Sequence, residues 1–145
     1  MPTYGLRKTA HVFGAIAVKD ASFVYQFADV FHGHTFHEFL LTVVKRYAPQ
    51  KVFMVIDNGP CHWLDEAGKR WLAENLDKIE LFRLPPYSPE FNPVEGIWKT
   101  TRKMTTHNCF YPTVPERDAA LCHTFETFRE NPELIDNQVA RRRNP

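Results

Sequence analysis

The run "KVFMVID", Lys51–Asp57, limits the fold more than any other stretch of this chain. Its apolar residues from Val52 to Ile56 are continuous, the pattern of a strand covered on both faces rather than of a half-solvated one. Asn58, Gly59 and Pro60 then end it in a turn. Upstream, "TFHEFLLTVVKR" (Thr35–Arg46) sets Phe36, Phe39, Leu40, Val43 and Val44 at helical spacing, behind Thr35 as cap and with Glu38 at the third helical position. Downstream, Trp63–Leu76 repeats apolar residues at helical intervals and "IELFRL" (Ile79–Leu84) returns to a strand pattern. Strand, helix and strand in this order predict a crossover connection and a partly parallel sheet.

The remaining segments fit an α/β chain. "HVFGAIAV" (His11–Val18) and "FVYQF" (Phe23–Phe27), joined by "KDAS", read as a β-hairpin. Val94–Met104 and Pro115–Phe128 read as helices, the second with Pro in its first turn and Glu116 nearby. Between them "HNCFYPTVPE" leads from one helix to the next, with Phe110 and Tyr111 as anchors. At 145 residues, with 43% hydrophobic and 24% charged, the chain suits one folded domain. A net charge of +1 gives no global basic field, so any nucleic-acid contact must be local. Three cysteines, an odd number, and no apolar leader point to a reducing cytoplasm. No run of about 18 apolar residues marks a membrane span.

Two carboxylates then stand out. Asp57 ends the apolar strand, where open α/β sheets bind ligands. Glu95 follows "RLPPYSPEFNPVEGIWK" (Arg83–Lys99), whose four prolines between Pro85 and Pro93 stiffen the approach to a helix start. Asn92 reads as its N-cap, Pro93 as its first residue and Glu95 as its third. Glu95 can simply close a capping box with Asn92 and answer the helix dipole. Alternatively the stiff loop brings it to the sheet edge that carries Asp57, where two hard oxygen donors suit Mg²⁺ or Mn²⁺ and phosphodiester chemistry.

The two motifs that carry these acids, "VIDNGPCH" (Val55–His62) and "LPPYSPEFNPVEGIWK" (Leu84–Lys99), resemble the signatures of mariner-superfamily insertion-sequence transposases, which hold a DDE (Asp, Asp, Glu) catalytic domain. The likeness extends from about Val12 to Phe128. It implies a ribonuclease H-like (retroviral-integrase-like) mixed sheet flanked by helices, over residues 1–130, with a basic tail over 131–145. It also implies cutting and joining of DNA at transposon ends through Mg²⁺ or Mn²⁺, in a cytoplasmic, nucleoid-associated protein. By the same resemblance Asp57 matches the second catalytic Asp and Glu95 the catalytic Glu, both as metal ligands. Asn58, His62 and Asn92 match supporting positions. Lys99, Arg102 and Lys103 lie on or near the catalytic helix as candidate DNA contacts, and equally as a solvated basic face. Trp98, on the same helix, is expected as a core anchor rather than a base-stacking residue.

The family's first Asp lies on a strand upstream of the hairpin, and Met1–Lys8 ("MPTYGLRK") resembles the connection after it. Asp20 and Asp29 do not match that position and read as turn chemistry and solvated charge. The expectation is therefore a carboxyl-terminal portion lacking the first strand and inactive alone, paired with an upstream fragment or a second copy. A noncatalytic DNA-binding or transposase-interacting inhibitor is the alternative. His32, His34 and His37, and the Cys61/His62, His107/Cys109 and Cys122/His123 pairs, lack zinc-knuckle spacing. Arg141–Arg143 reads as a free basic tail.

Overall fold

The computed structural model describes residues 10–59, 62–85, 92–106 and 110–135. It is a mixed α/β structure, in the order β1 (His11–Ile16), β2 (Phe23–Ala28), α1 (Gly33–Tyr47), β3 (Val52–Ile56), α2 (Glu66–Glu74), β4 (Ile79–Arg83), α3 (Val94–Thr101), a π-helical turn (Arg102–Thr106) and α4 (Val114–Glu130). The strands form two sheets of two strands each, β1–β2 and β3–β4. Two compact units divide the chain: a mid-chain unit, Gln26–Asn92, and a terminal unit, Met1–Tyr25 with Pro93–Pro145.

In the mid-chain unit, β3 and β4 pair in parallel, from Val52 opposite Ile79 to Ile56 opposite Arg83. A parallel pair needs a long crossover, and α2 supplies it, capped by the Asp65 side chain, which accepts from Gly68 N at 2.8 Å. Helix α1 buries Phe36, Phe39, Leu40 and Val43, as the spacing predicts. Its cap is His32 rather than Thr35. Nδ1 of His32 accepts from His34 N at 3.1 Å and Thr35 N at 3.4 Å, while Thr35 Oγ1 accepts from His32 N at 3.1 Å. A neutral imidazole nitrogen reaches the first turn as an Asn oxygen would, so Thr35 takes the reciprocal place in the box. Glu38, expected near the cap, instead pairs with His34 at 3.1 Å.

Strand β3 departs from the expectation of cover on both faces. Met54 and Ile56 are buried, whereas Phe53 and Val55 are 64% and 53% exposed, and Phe82 on β4 is 46% exposed. The run is apolar throughout, yet α1 covers one face and, among the described residues, the other stays open.

In the terminal unit, β1 and β2 close through Ala17 N–H to Ser22 O at 2.9 Å and Ala21 N–H to Ala17 O at 2.7 Å. Ala21 sits at φ 60°, a left-handed turn position, and Asp20 Oδ1 accepts from Ser22 N at 3.0 Å. The core gathers Phe13, Phe23, Ile97, Leu121, Phe125 and Phe128. Trp98 meets Phe23 and Phe125 edge-on, with centroids 6.3 and 5.8 Å away. Gly14 makes this possible, because a Cβ there would lie 2.6 Å from Trp98 Cη2.

After α3 the π turn places Thr105 against Thr124 of α4, Oγ1 to Oγ1 at 2.6 Å in a buried setting. Tyr111 anchors the following segment by donating to Thr105 O at 2.6 Å, while Phe110, expected to share that role, is exposed. Helix α4 starts at a Thr113 cap with Pro115 in its first turn. Helical geometry continues over residues 132–135, and Ile135 is fully buried.

Candidate functional site

Asp57 follows β3 directly, and its carboxylate is fixed before any ligand arrives. Oδ1 accepts from Gly59 N at 2.8 Å and lies 2.6 Å from His62 Nδ1. An ionised carboxylate only accepts, so the network assigns the proton to His62 Nδ1. His62 is itself held: its backbone N–H donates to Gly59 O at 2.9 Å and its ring lies 4.9 Å from that of Phe36 on α1. Gly59 admits the close approach, since a Cβ there would come to 3.0 Å from Asp57 Oδ1. The Asp57 side chain is 36% exposed. Among the described residues nothing donates to Oδ2, so that oxygen keeps its acceptor capacity.

Asn58 secures the strand end. Its amide donates to Leu84 O at 2.6 Å, beside the Leu84 N–H to Ile56 O bond at 2.8 Å. These bonds tie the segment after β3 to the segment after β4, where the proline loop begins. Of that loop, Pro86–Phe91 lie outside the described residues, as do Pro60 and Cys61, the His107/Cys109 pair and the Arg141–Arg143 tail.

The structure adds two residues that the sequence did not single out. Arg83, last residue of β4, donates from Nη2 to His62 O at 2.7 Å, and its guanidinium carbon stands 3.7 Å from the centre of the Trp63 ring. Burial lowers the pKa of Arg83, and the negative charge of Asp57 opposes that shift. Nη1 of Arg83 is buried without a hydrogen-bond partner among the described residues. A charged residue closing a short apolar strand was the one available sign, and its partners are contacts through space that spacing does not encode.

In the terminal unit, Glu95 lies in the first turn of α3 and is half-buried. The helix starts one residue later than the sequence suggested. Pro93, with φ −58° and ψ −27°, holds the cap position, which puts Glu95 second rather than third. Proline's fixed φ already matches the helix, so the two readings differ by where the first hydrogen bond closes. Asn92 precedes this cap. Lys99, Arg102 and Lys103 are exposed, three and four residues apart on neighbouring turns. Trp98 lies in the aromatic core rather than in solvent.

Among the described residues no group of three or more His, Cys, Asp or Glu side chains gathers as a metal cage. His32 caps α1, His34 pairs with Glu38, His37 lies over Trp71 at 5.0 Å, and Cys122 Sγ meets Tyr25 OH at 3.3 Å. No described helix is long and apolar enough to cross a membrane.

No curated protein matches the sequence. A family model, however, matches residues 1–116, a span that contains Asp57 with its hydrogen-bond partners and the helix carrying Glu95: the chain belongs to the DDE superfamily endonuclease family.

Proposed function

We propose that this chain forms part of the nuclease domain of a transposase of mariner type, inactive alone, with a ribonuclease H-like arrangement of its elements, acting on DNA at transposon ends. Asp57 and Glu95 are its divalent-metal ligands, for Mg²⁺ or Mn²⁺. The observation that carries this reading is the Asp57 carboxylate, pinned through Oδ1 by Gly59 and His62 at a strand end, with Oδ2 available. A hard, ionised oxygen donor oriented by a histidine is the donor type these cations take. Glu95 supplies a second donor of the same kind. A divalent cation, when bound, neutralises charge on phosphate oxygens and lowers the pKa of water.

The chain's own residues do the positioning. Gly59 N–H and His62 hold the Asp57 carboxylate in one orientation, Asn58 keeps the two strand ends together, and Asn92 precedes the helix that carries Glu95. Lys99, Arg102 and Lys103 meet phosphates of the bound DNA. Mn²⁺ titration by calorimetry tests the assignment. Binding is expected in the unaltered chain and weakened in both Asp57→Asn and Glu95→Gln. Undiminished binding in both variants overturns it.

A further inference from the structure

Trp63 is an unusual place to leave an indole. It is 53% exposed although a large aromatic side chain gains about 2–3 kcal/mol from full burial. It is also well supported. The Arg83 guanidinium stacks on the ring at 3.7 Å, and Arg83 is in turn fixed by its bond to His62 O. From below, the start of α1 braces the segment: Gly33 approaches so closely that a Cβ there would lie 2.5 Å from Trp63 O and 2.9 Å from Asp65 N. If Trp63 served only to cover Arg83, burying the ring against neighbouring apolar groups would serve better.

An aromatic plane that is rigidly backed and open to solvent is the element with which proteins stack unpaired bases. Its location narrows the ligand. Trp63 directly follows His62, whose Nδ1 is 2.6 Å from Asp57 Oδ1. Behind the ring stands a cation whose charge suits a nucleotide's phosphate. Bases inside a duplex present no free face, so the ligand is an unpaired base.

We propose that Trp63, backed by Arg83, is a stacking platform for an unpaired nucleobase of the DNA strand that Asp57 serves. This rests on the reading of the chain as acting on DNA. Trp63 is a positioning residue: it holds the strand and leaves the phosphodiester chemistry to the acids.

The test is fluorescence anisotropy with three labelled DNAs in Mg²⁺ buffer: a thymidine 12-mer, the same backbone made wholly abasic, and a duplex. The unaltered chain is expected to bind the thymidine strand more tightly than the abasic one. Trp63→Ala is expected to weaken thymidine-strand binding about 5- to 100-fold, leaving the abasic strand and the duplex unchanged. Trp63→Phe keeps most of the affinity, and circular dichroism checks that both variants fold. Equal losses on the thymidine and abasic strands, or no loss on either, overturn the platform alone. Failure of the unaltered chain to bind any of the three DNAs overturns the DNA-acting reading and the platform with it.

Discussion

Asp57 and Glu95 are held by different means. Asp57 is oriented by hydrogen bonds from Gly59 and His62 at the end of a parallel strand, whereas Glu95 rides on a helix held by the packing of its own Trp98 on Phe23 and Phe125. Hydrogen bonds are directional and concentrate the positioning in a few atoms. Aromatic packing spreads it over many weak contacts, so it resists the loss of one polar group but not a change of volume. The mid-chain unit should therefore fail through backbone clashes and lost bonds, and the terminal unit through cavities.

The largest effect is expected at the aromatic anchor: Trp98→Ala should destabilise the protein by about 2–4 kcal/mol in urea denaturation. A cost below about 1 kcal/mol would break the contrast, because packing would then not be what holds α3. Next comes Gly33→Ala in the mid-chain unit, where the added methyl meets backbone atoms of Trp63 and Asp65 that cannot rotate away. It should cost about 1–3 kcal/mol and shift the emission of the neighbouring Trp63.

A smaller effect tests whether the terminal unit also depends on polar pairing. Thr105→Val removes one of the two partners of the Thr124 hydroxyl, which keeps its bond to Ala120 O at 3.1 Å, and should cost about 1 kcal/mol, while adding Thr124→Val should cost less than the sum of the two single changes.

The smallest effect is confined to alkaline pH. Burial, then hydrogen bonds with Cys122 and Glu126, raise the pKa of Tyr25 well above its ordinary value. A raised folded pKa means that this contribution is fully present below about pH 10 and is lost as pH rises toward the folded value. Between pH 8 and pH 11 the unaltered chain should thus lose more stability than Tyr25→Phe, as compared by urea denaturation. Equal losses would remove Tyr25 from the account.

Local patterning made most elements legible. The spacing of Phe36, Phe39, Leu40 and Val43 marked α1, and Pro115 marked the start of α4. Strand, helix and strand gave the parallel β3–β4 pair. Patterning failed where the outcome depends on what lies across space. An unbroken apolar run does not say how many faces will find cover, so Phe53 and Val55 were misplaced. Thr is the commoner cap, so His32, which needs a particular tautomer to accept, was passed over. Asp57 and His62 stood out together because both lie in one short motif, but the hydrogen bond between them did not. Arg83 and Trp63 were not, because a cation meets a ring 20 residues away only after the crossover has folded.

The π turn at Arg102–Thr106 separates chain length from helix phase. Buried Val94, Ile97, Thr101 and Thr105 are spaced by three, four and four, and the last of them falls where the turn widens from α to π. The wider turn absorbs one residue and delivers Thr105 to Thr124. Met104 is among the exposed residues of that turn. Shortening the chain by one residue within this turn would narrow it to an ordinary α-helical turn. The segment is thus a place where the sequence can gain or lose a residue through the width of one turn.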